Sequence, residues 1–422
     1  MNPFQDRRKG KMLLCGAVTL SLVVLPSFSA VAQPSLVPSV SSSKSASSSS
    51  HEETVVQLGA IEAYGDAAEV VLDAPGASSS SLARMAQPLS DTAEESVSVA
   101  QEELGEISLT LGEPAAGGYN SSVEIESPKL VSSTETQQKV SAMVTFSYHL
   151  QPDDNGYSGP SSWADEHLLT LEKGNEGWAV VADEVVPYEE SSLAADESDP
   201  TPEPEEIPMS PDLKSDDDKP GIPIEDIAQP ADGTIGVPAA GYSKQNSINV
   251  QNFVSYAISR TSGSYAKDGT AYVNGTYPKY NNNCANFVSQ VLDQAGWYLT
   301  GGNSTQIHEK TKWTFNLAGI AGATRTWTKA SDLYSYSLNT GRYKFLSNVW
   351  NARSGDLIFV DWDPNGYPDG YIDHVMAVTG RANYAPRISQ KSSNRSNISL
   401  ETTVALAKQQ GKKYTWYGLE LR

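Results

Sequence analysis

The sequence predicts an α+β protein: a small separate α+β domain at residues 51–186, and a second at residues 231–422 with a cysteine-bearing helix on an antiparallel sheet. Three observations carry this. An apolar stripe of helical period follows Cys284, with Phe287, Val288, Val291, Leu292 and Ala295 at +3, +4, +7, +8 and +11. Alternating apolar runs separated by turn residues recur in both parts. Between them, residues 187–230 carry 14 acids and 2 lysines with prolines at 200, 202, 204, 208, 211, 220 and 223, a composition that stays extended as a linker.

Residues 1–32 read as a signal peptide, with a basic start (Arg7, Arg8, Lys9, Lys11), apolar residues 12–26 and a small-residue site at Ala30-Val31-Ala32. The apolar stretch is too short for a transmembrane anchor and no second one follows, so the protein is expected to be secreted, either extracellular or wall-associated. Of the two cysteines in the 422-residue chain, cleavage before Gln33 removes Cys15 and leaves Cys284 as the one thiol of the mature protein, without a disulfide partner. Residues 33–50 are Ser-rich and expected to be disordered.

In residues 51–186, helices are expected around 52–64 and 91–104, then strands at 139–150, 167–172 and 178–186. Their turns fall at Asp153-Asp154-Asn155-Gly156 and Gly174-Asn175-Glu176-Gly177. The whole chain has 30 Lys+Arg against 51 Asp+Glu, a net charge of −21 that argues against nucleic acid as a partner. Residues 231–422 differ, with 19 Lys+Arg against 12 Asp+Glu, or +7, and six of the eight tryptophans. A cationic domain on a polyanionic tether suits an anionic surface such as a bacterial wall; a solvated mixed surface without a partner is the plainer account. Trp297, Trp313, Trp327, Trp350, Trp362 and Trp416 serve either a glycan groove or, for most of them, the core of a domain under 200 residues.

The chemistry is concentrated in this second domain. Asn283 is a suitable N-cap, which places Cys284 in the first helical turn, where unpaired N–H groups favour a thiolate and an adjacent oxyanion. Cysteine is also an ordinary small buried hydrophobe; the helix-start position and missing disulfide partner favour a nucleophile. A base must then come from His308 or His374. His308 sits in a polar stretch expected at the surface. His374 opens Asp373-His374-Val375-Met376-Ala377-Val378, a strand matched with Gly355-Asp356-Leu357-Ile358-Phe359-Val360; it either points into a cleft or caps a turn.

The segment Cys284-Ala285-Asn286-Phe287-Val288-Ser289-Gln290, with Gly355-Asp356-Leu357-Ile358 and Asp373-His374, resembles the putative amidase domain of secreted bacterial proteins, similar to papain-like cell-wall amidases and endopeptidases. The resemblance covers about residues 240–422, and residues 51–186 resemble the cone-shaped α+β domain that often precedes it. It implies a papain-like fold and an amide hydrolase, with peptidoglycan or another wall amide as substrate and no required cofactor. Cys284 would attack a carbonyl to form a thioester and His374 would protonate the leaving amine. The Cys284 N–H is the expected oxyanion donor, with Asn283 or Asn282 as a second. Two positions depart from the family: Asn283 stands where Asp is common, and Lys391 where a further His is usual. Gln390 and Asn394 are the candidates to orient His374; either is also a plain polar strand or turn residue.

Asp361-Trp362-Asp363-Pro364-Asn365-Gly366, with Asp369, matches the opening of a calcium loop, although Ile372 stands at the twelfth position and Asp373 comes one residue late. A bound calcium would brace the loop before His374; alternatively these residues make a polar hairpin. The competing overall reading is a catalytically inactive wall-binding or adhesion module, with or without calcium stabilisation as above. A third has the N-terminal domain binding a ligand and positioning or shielding the cleft.

Overall fold

In the computed structural model, which describes residues 56–86, 93–186, 222–223, 248–263, 276–278, 280, 283–320, 322–363, 372–382 and 385–422, every strand pairing is antiparallel. All of these residues lie in one unit, Thr54–Arg422. The signal peptide, the Ser-rich stretch and the linker, apart from residues 222–223, lie outside the described residues.

The N-terminal α+β half places helices α1 (Leu58–Asp73), α2 (Ser79–Ala86) and α3 (Ala93–Ser108) on a sheet of β1 (Ser122–Ser133), β2 (Gln137–His149), β3 (Pro160–Lys173) and β4 (Trp178–Val185). Helix α1 starts and ends later than expected, because Ile61, Tyr64, Ala68, Val71 and Leu72 continue one buried stripe. Helix α2 and strand β1 went unread in the sequence. β1 is an edge strand without one buried residue, so no core-facing alternation marks it. Pro128 sits where its register with β2 shifts, between Glu126 and Lys129, as suits a proline on an edge. Strand β3 begins at Pro160, well before residue 167, because its first half buries Asp165 among Trp163 and Ala164 and lacks the apolar alternation that reveals a strand.

The C-terminal α+β half contains α4 (Val250–Ser259), α5 (Cys284–Gln294), α6 (Arg325–Thr328), α7 (Ala330–Asn339) and α8 (Leu400–Gln409). Its strands are β6 (Tyr343–Leu346), β7 (Leu357–Asp363), β8 (His374–Ala382), β9 (Ala385–Gln390), β10 (Asn394–Ser399) and β11 (Lys413–Leu421), with β5 (Ile222–Pro223) paired to β11. Two sheet faces have separate cores. Leu357, Phe359, Val375 and Ala377 pack with α4, α5 and α7, whereas Ile358, Val360, Met376 and Val378 pack with α8, Trp350 and Trp416.

The two α+β domains expected from the sequence are present, and their sheets join edge to edge. β3 pairs with β10 through Ala164↔Asn394, Trp163↔Arg395 and Ser162↔Ser396, so the strand order runs β1-β2-β3-β10-β9-β8-β7-β11-β5. An edge strand leaves N–H and C=O groups unpaired, and each half here supplies that pairing to the other. The turn after β2 adds side-chain bonds. Asp154 Oδ1 accepts from the Arg381 N–H at 2.9 Å, and Asn155 Nδ2 donates to the Thr379 carbonyl at 3.0 Å. Gly380 is required there, since a Cβ would collide with the Asp153 carboxylate.

Candidate functional site

Cys284 is the first residue of α5, as the periodicity indicates. The stripe Phe287, Val288, Val291, Leu292 and Ala295 is buried, but so is the opposite, polar face. Ser289 Oγ donates to the Trp327 carbonyl at 2.9 Å, Gln290 Oε1 accepts from the Tyr256 hydroxyl at 3.1 Å, and Asn286 Oδ1 accepts from Trp327 Nε1 at 2.6 Å. These bonds pair the buried polar side chains of α5, which lets its first nine residues sit inside and fixes its N-terminus.

Asn283 occupies the N-cap position without the expected side-chain cap. Its Oδ1 accepts instead from Asn286 Nδ2 at 2.7 Å, and its main-chain N–H donates to Ser392 Oγ at 3.0 Å. That N–H is thus spent on the turn between β9 and β10. Asn282 lies outside the described residues.

The Cys284 thiol is buried and reaches the main chain at the start of β8. It lies 3.6 Å from the Asp373 carbonyl oxygen, and the N–H groups of Ala285 and Val375 also bear on it. Burial pushes the thiol up to about 11, an effect that those N–H groups oppose and the Asp373 charge reinforces.

His374 opens β8 opposite Val360 on β7, the strand pairing expected from the sequence. Its ring falls on the Val360 side, 6.0 Å centroid to centroid from Trp362, whereas Cys284 packs in the core of Val375 and Phe359 on the other face. No hydrogen bond joins the imidazole to the thiol, and His374 Nε2 is buried with no partner. Burial drives the imidazole down to about 4; the Gln390 side chain opposes this, while Lys412 and Arg395 add to it. Thiol and imidazole are both neutral at pH 7.

The two candidates for orienting His374 part company. Gln390, last residue of β9, donates from Nε2 to the Ser393 carbonyl at 3.2 Å, and its amide favours the protonated form of His374. Asn394 instead donates to the Thr261 carbonyl at 2.8 Å and ties the end of α4 to β10. Arg395 pairs in register with Gln390 and forms a buried ion pair with Asp165 of the N-terminal half at 2.9 Å. Lys391 is fully buried beside them, and His308 lies in a partly exposed stretch.

Of the calcium-loop residues, Asp361 and Asp363 belong to β7 rather than to a loop, and Asn365 and Asp369 lie outside the described residues. Among the described residues, no group of three or more His, Cys, Asp or Glu could hold a metal ion. Asp356 of the Gly-Asp motif is structural. It accepts from the N–H groups of Arg353 at 2.7 Å and Leu421 at 2.9 Å, and burial raises it to about 7. Five of the six tryptophans are core; Trp362 alone is partly exposed, and it flanks His374.

Residues 247–417 match the model of a family described as "Putative amidase domain". An uncharacterized protein of Bacillus subtilis (strain 168), YjcM, is 27% identical over 205 residues, covering 47% of this chain. The match spans 44% of that relative's own length. A Xanthomonas campestris crystal structure described as a "Putative calcium/calmodulin dependent protein kinase II association domain" aligns at 12% identity with a TM-score of 0.19. That alignment covers 30% of this chain and 83% of that one. The amidase-family match supports a hydrolase-like function in general terms. Among the described residues, no helix is long and apolar enough to cross a membrane.

Proposed function

We propose that the protein is a secreted bacterial amide hydrolase with a papain-like site in its C-terminal half, acting on peptidoglycan or another wall amide. The observation that carries this is a buried cysteine, in no disulfide, at the first residue of α5, its thiol held against the main chain on either side of His374. The neutral resting pair favours a general-base route over a preformed ion pair. In the reacting state His374 turns about its side chain at the open end of β8 and takes the Sγ proton as sulfur attacks the carbonyl carbon. Resting geometry in such sites is often loose and tightens only around substrate.

The N–H groups of Cys284 and Ala285 stabilise the oxyanion. Collapse leaves a thioester, and the imidazolium gives its proton to the departing amine. Water, deprotonated by the same imidazole, then releases the acid and the thiol. Gln390 is the positioning residue that steadies the imidazolium.

A second reading, a wall-binding module without catalysis, is favoured by the raised thiol and the missing thiol–imidazole bond. Release of new amino and carboxyl groups from purified bacterial walls separates the two, with the chain from residue 33 compared with its Cys284→Ala variant. Release by the first and none by the second is expected. Wall binding by both without release from either overturns the hydrolase.

A further inference from the structure

One end of α8 builds a feature the proposed reaction does not use. Helix α8 stops at Gly411, whose φ of +67° is left-handed. The Gly411 N–H donates back to the Lys408 carbonyl at 2.9 Å and the Lys412 N–H to the Ala407 carbonyl at 3.1 Å. These bonds close the helix C-terminus and fix the direction in which Lys412 leaves it. One residue on, β11 begins, and its Tyr414 pairs in register with Trp362 of β7.

The Lys412 ammonium consequently sits 5.4 Å from the centre of the Trp362 ring, which is itself 6.0 Å from the His374 ring. The Trp362 main-chain N–H donates to Asp373 Oδ2 at 2.9 Å. Among the described residues, no carboxylate pairs with Lys412. The charges around His374 are lopsided: Lys412 from the turn after α8 and Arg395 from β10 are positive, Gln390 from β9 is neutral, and the Asp373 carboxylate is engaged by Trp362. Of the two cations, Arg395 is buried and already paired with Asp165, while Lys412 is partly exposed.

We infer that Lys412 and Trp362 form a subsite beside His374 for a carboxylate, so that the preferred substrate is an amide flanked by an acidic residue. The inference rests on His374 marking the reacting centre. A cation resting on an aromatic face keeps its charge available to a ligand while its stem is positioned. An anion bound there also offsets the positive field that disfavours protonation of His374.

The test uses the chain from residue 33 and the peptides acetyl-Ala-X-amide, in which X is D- or L-Glu or the matching Gln. Binding is measured by calorimetry on Cys284→Ala, and hydrolysis on the chain with Cys284 intact. The Glu peptide is expected to bind about tenfold more tightly than its Gln partner, a difference weakened by salt. Lys412→Met should remove the preference and Lys412→Arg should keep it; in hydrolysis the preference should appear in KM rather than kcat. Equal binding of Glu and Gln peptides, no binding of either, or a preference that survives Lys412→Met overturns the subsite. Tight, Lys412-dependent binding without hydrolysis upholds the subsite and overturns the hydrolase.

Discussion

Two histidines, one in each half, sit in opposite electrostatic circumstances. His167 on β3 is 2% exposed, and its Nδ1 lies 2.8 Å from Asp183 Oδ1, while the Tyr64 hydroxyl donates to the other carboxylate oxygen. Burial alone would lower its pKa; the Asp183 charge and hydrogen bond, helped by Asp165 and Glu103, outweigh burial and raise it. His374 meets burial with no anion against it and two cations nearby, and falls to about 4. Burial sets the sensitivity, and the neighbouring charge sets the sign. A histidine locked to a carboxylate is committed to holding its domain together, whereas His374 is kept neutral, with a side-chain amide and no carboxylate against its ring.

The largest break in this contrast is the exchange of roles under mutation. His374→Ala is expected to lower wall amide release by about 10²–10⁴-fold, the usual range for a general base, with little loss of thermal stability. His167→Ala leaves the Asp183 carboxylate buried beside Tyr64 and should cost about 3–5 kcal/mol in urea unfolding, with activity per folded molecule retained. A His374→Ala protein that loses stability but not activity reverses the assignment.

Much of this was legible in the sequence, and the limits have physical causes. The Cys284 helix and the pairing of residues 355–360 with the His374 strand were readable because both carry a buried period. Which face of β8 receives His374 was not readable. Strand side chains alternate, so a one-residue difference in register moves the imidazole across the sheet, and only the pairing Val360↔His374 decides it. Gln390 and Asn394 looked equivalent by type and spacing, and their separate partners appear only in the fold. The Asp165–Arg395 pair joins residues of the two halves and leaves no local pattern. Trp362 was one tryptophan among six until its neighbours His374 and Lys412 set it apart.

The pH dependence of stability sharpens the contrast by about 3 kcal/mol at most. The unfolded imidazole titrates near 6.5, and His374 in the fold near 4. As pH falls through that window the unfolded chain takes up a proton that the folded chain refuses, so stability falls. His374→Ala should therefore gain on the unsubstituted chain in urea midpoint between pH 6.5 and 4, by somewhat less than the full value because the ring is partly exposed. His167, raised in the fold, contributes stability that is complete below about pH 6.5 and is lost as pH climbs through its folded pKa. The deficit of His167→Ala should thus be greatest in acid and shrink in alkali. Two deficits moving in the same direction with pH would show that the two sites do not differ in sign.

The smallest effect tests whether the two histidines are independent. Asp165 stands between them: its charge supports protonation of His167, and its ion pair at 2.9 Å partly cancels the Arg395 charge that lowers His374. Asp165→Asn removes the anion from both. His167 loses a stabilising charge, and His374 feels Arg395 without its counter-ion, so both pKa values should move down. Arg395→Gln should move His374 in the opposite direction, into a range where NMR titration of the folded chain is easier. If Asp165→Asn shifts His167 alone, and Arg395→Gln leaves His374 where it was, then the β3–β10 junction carries no charge coupling and only aligns the sheet. If both respond with these signs, the ionisation of the amidase-like site depends on a carboxylate in the other half of the molecule, and the C-terminal half expressed by itself would titrate differently from the same residues in the full chain.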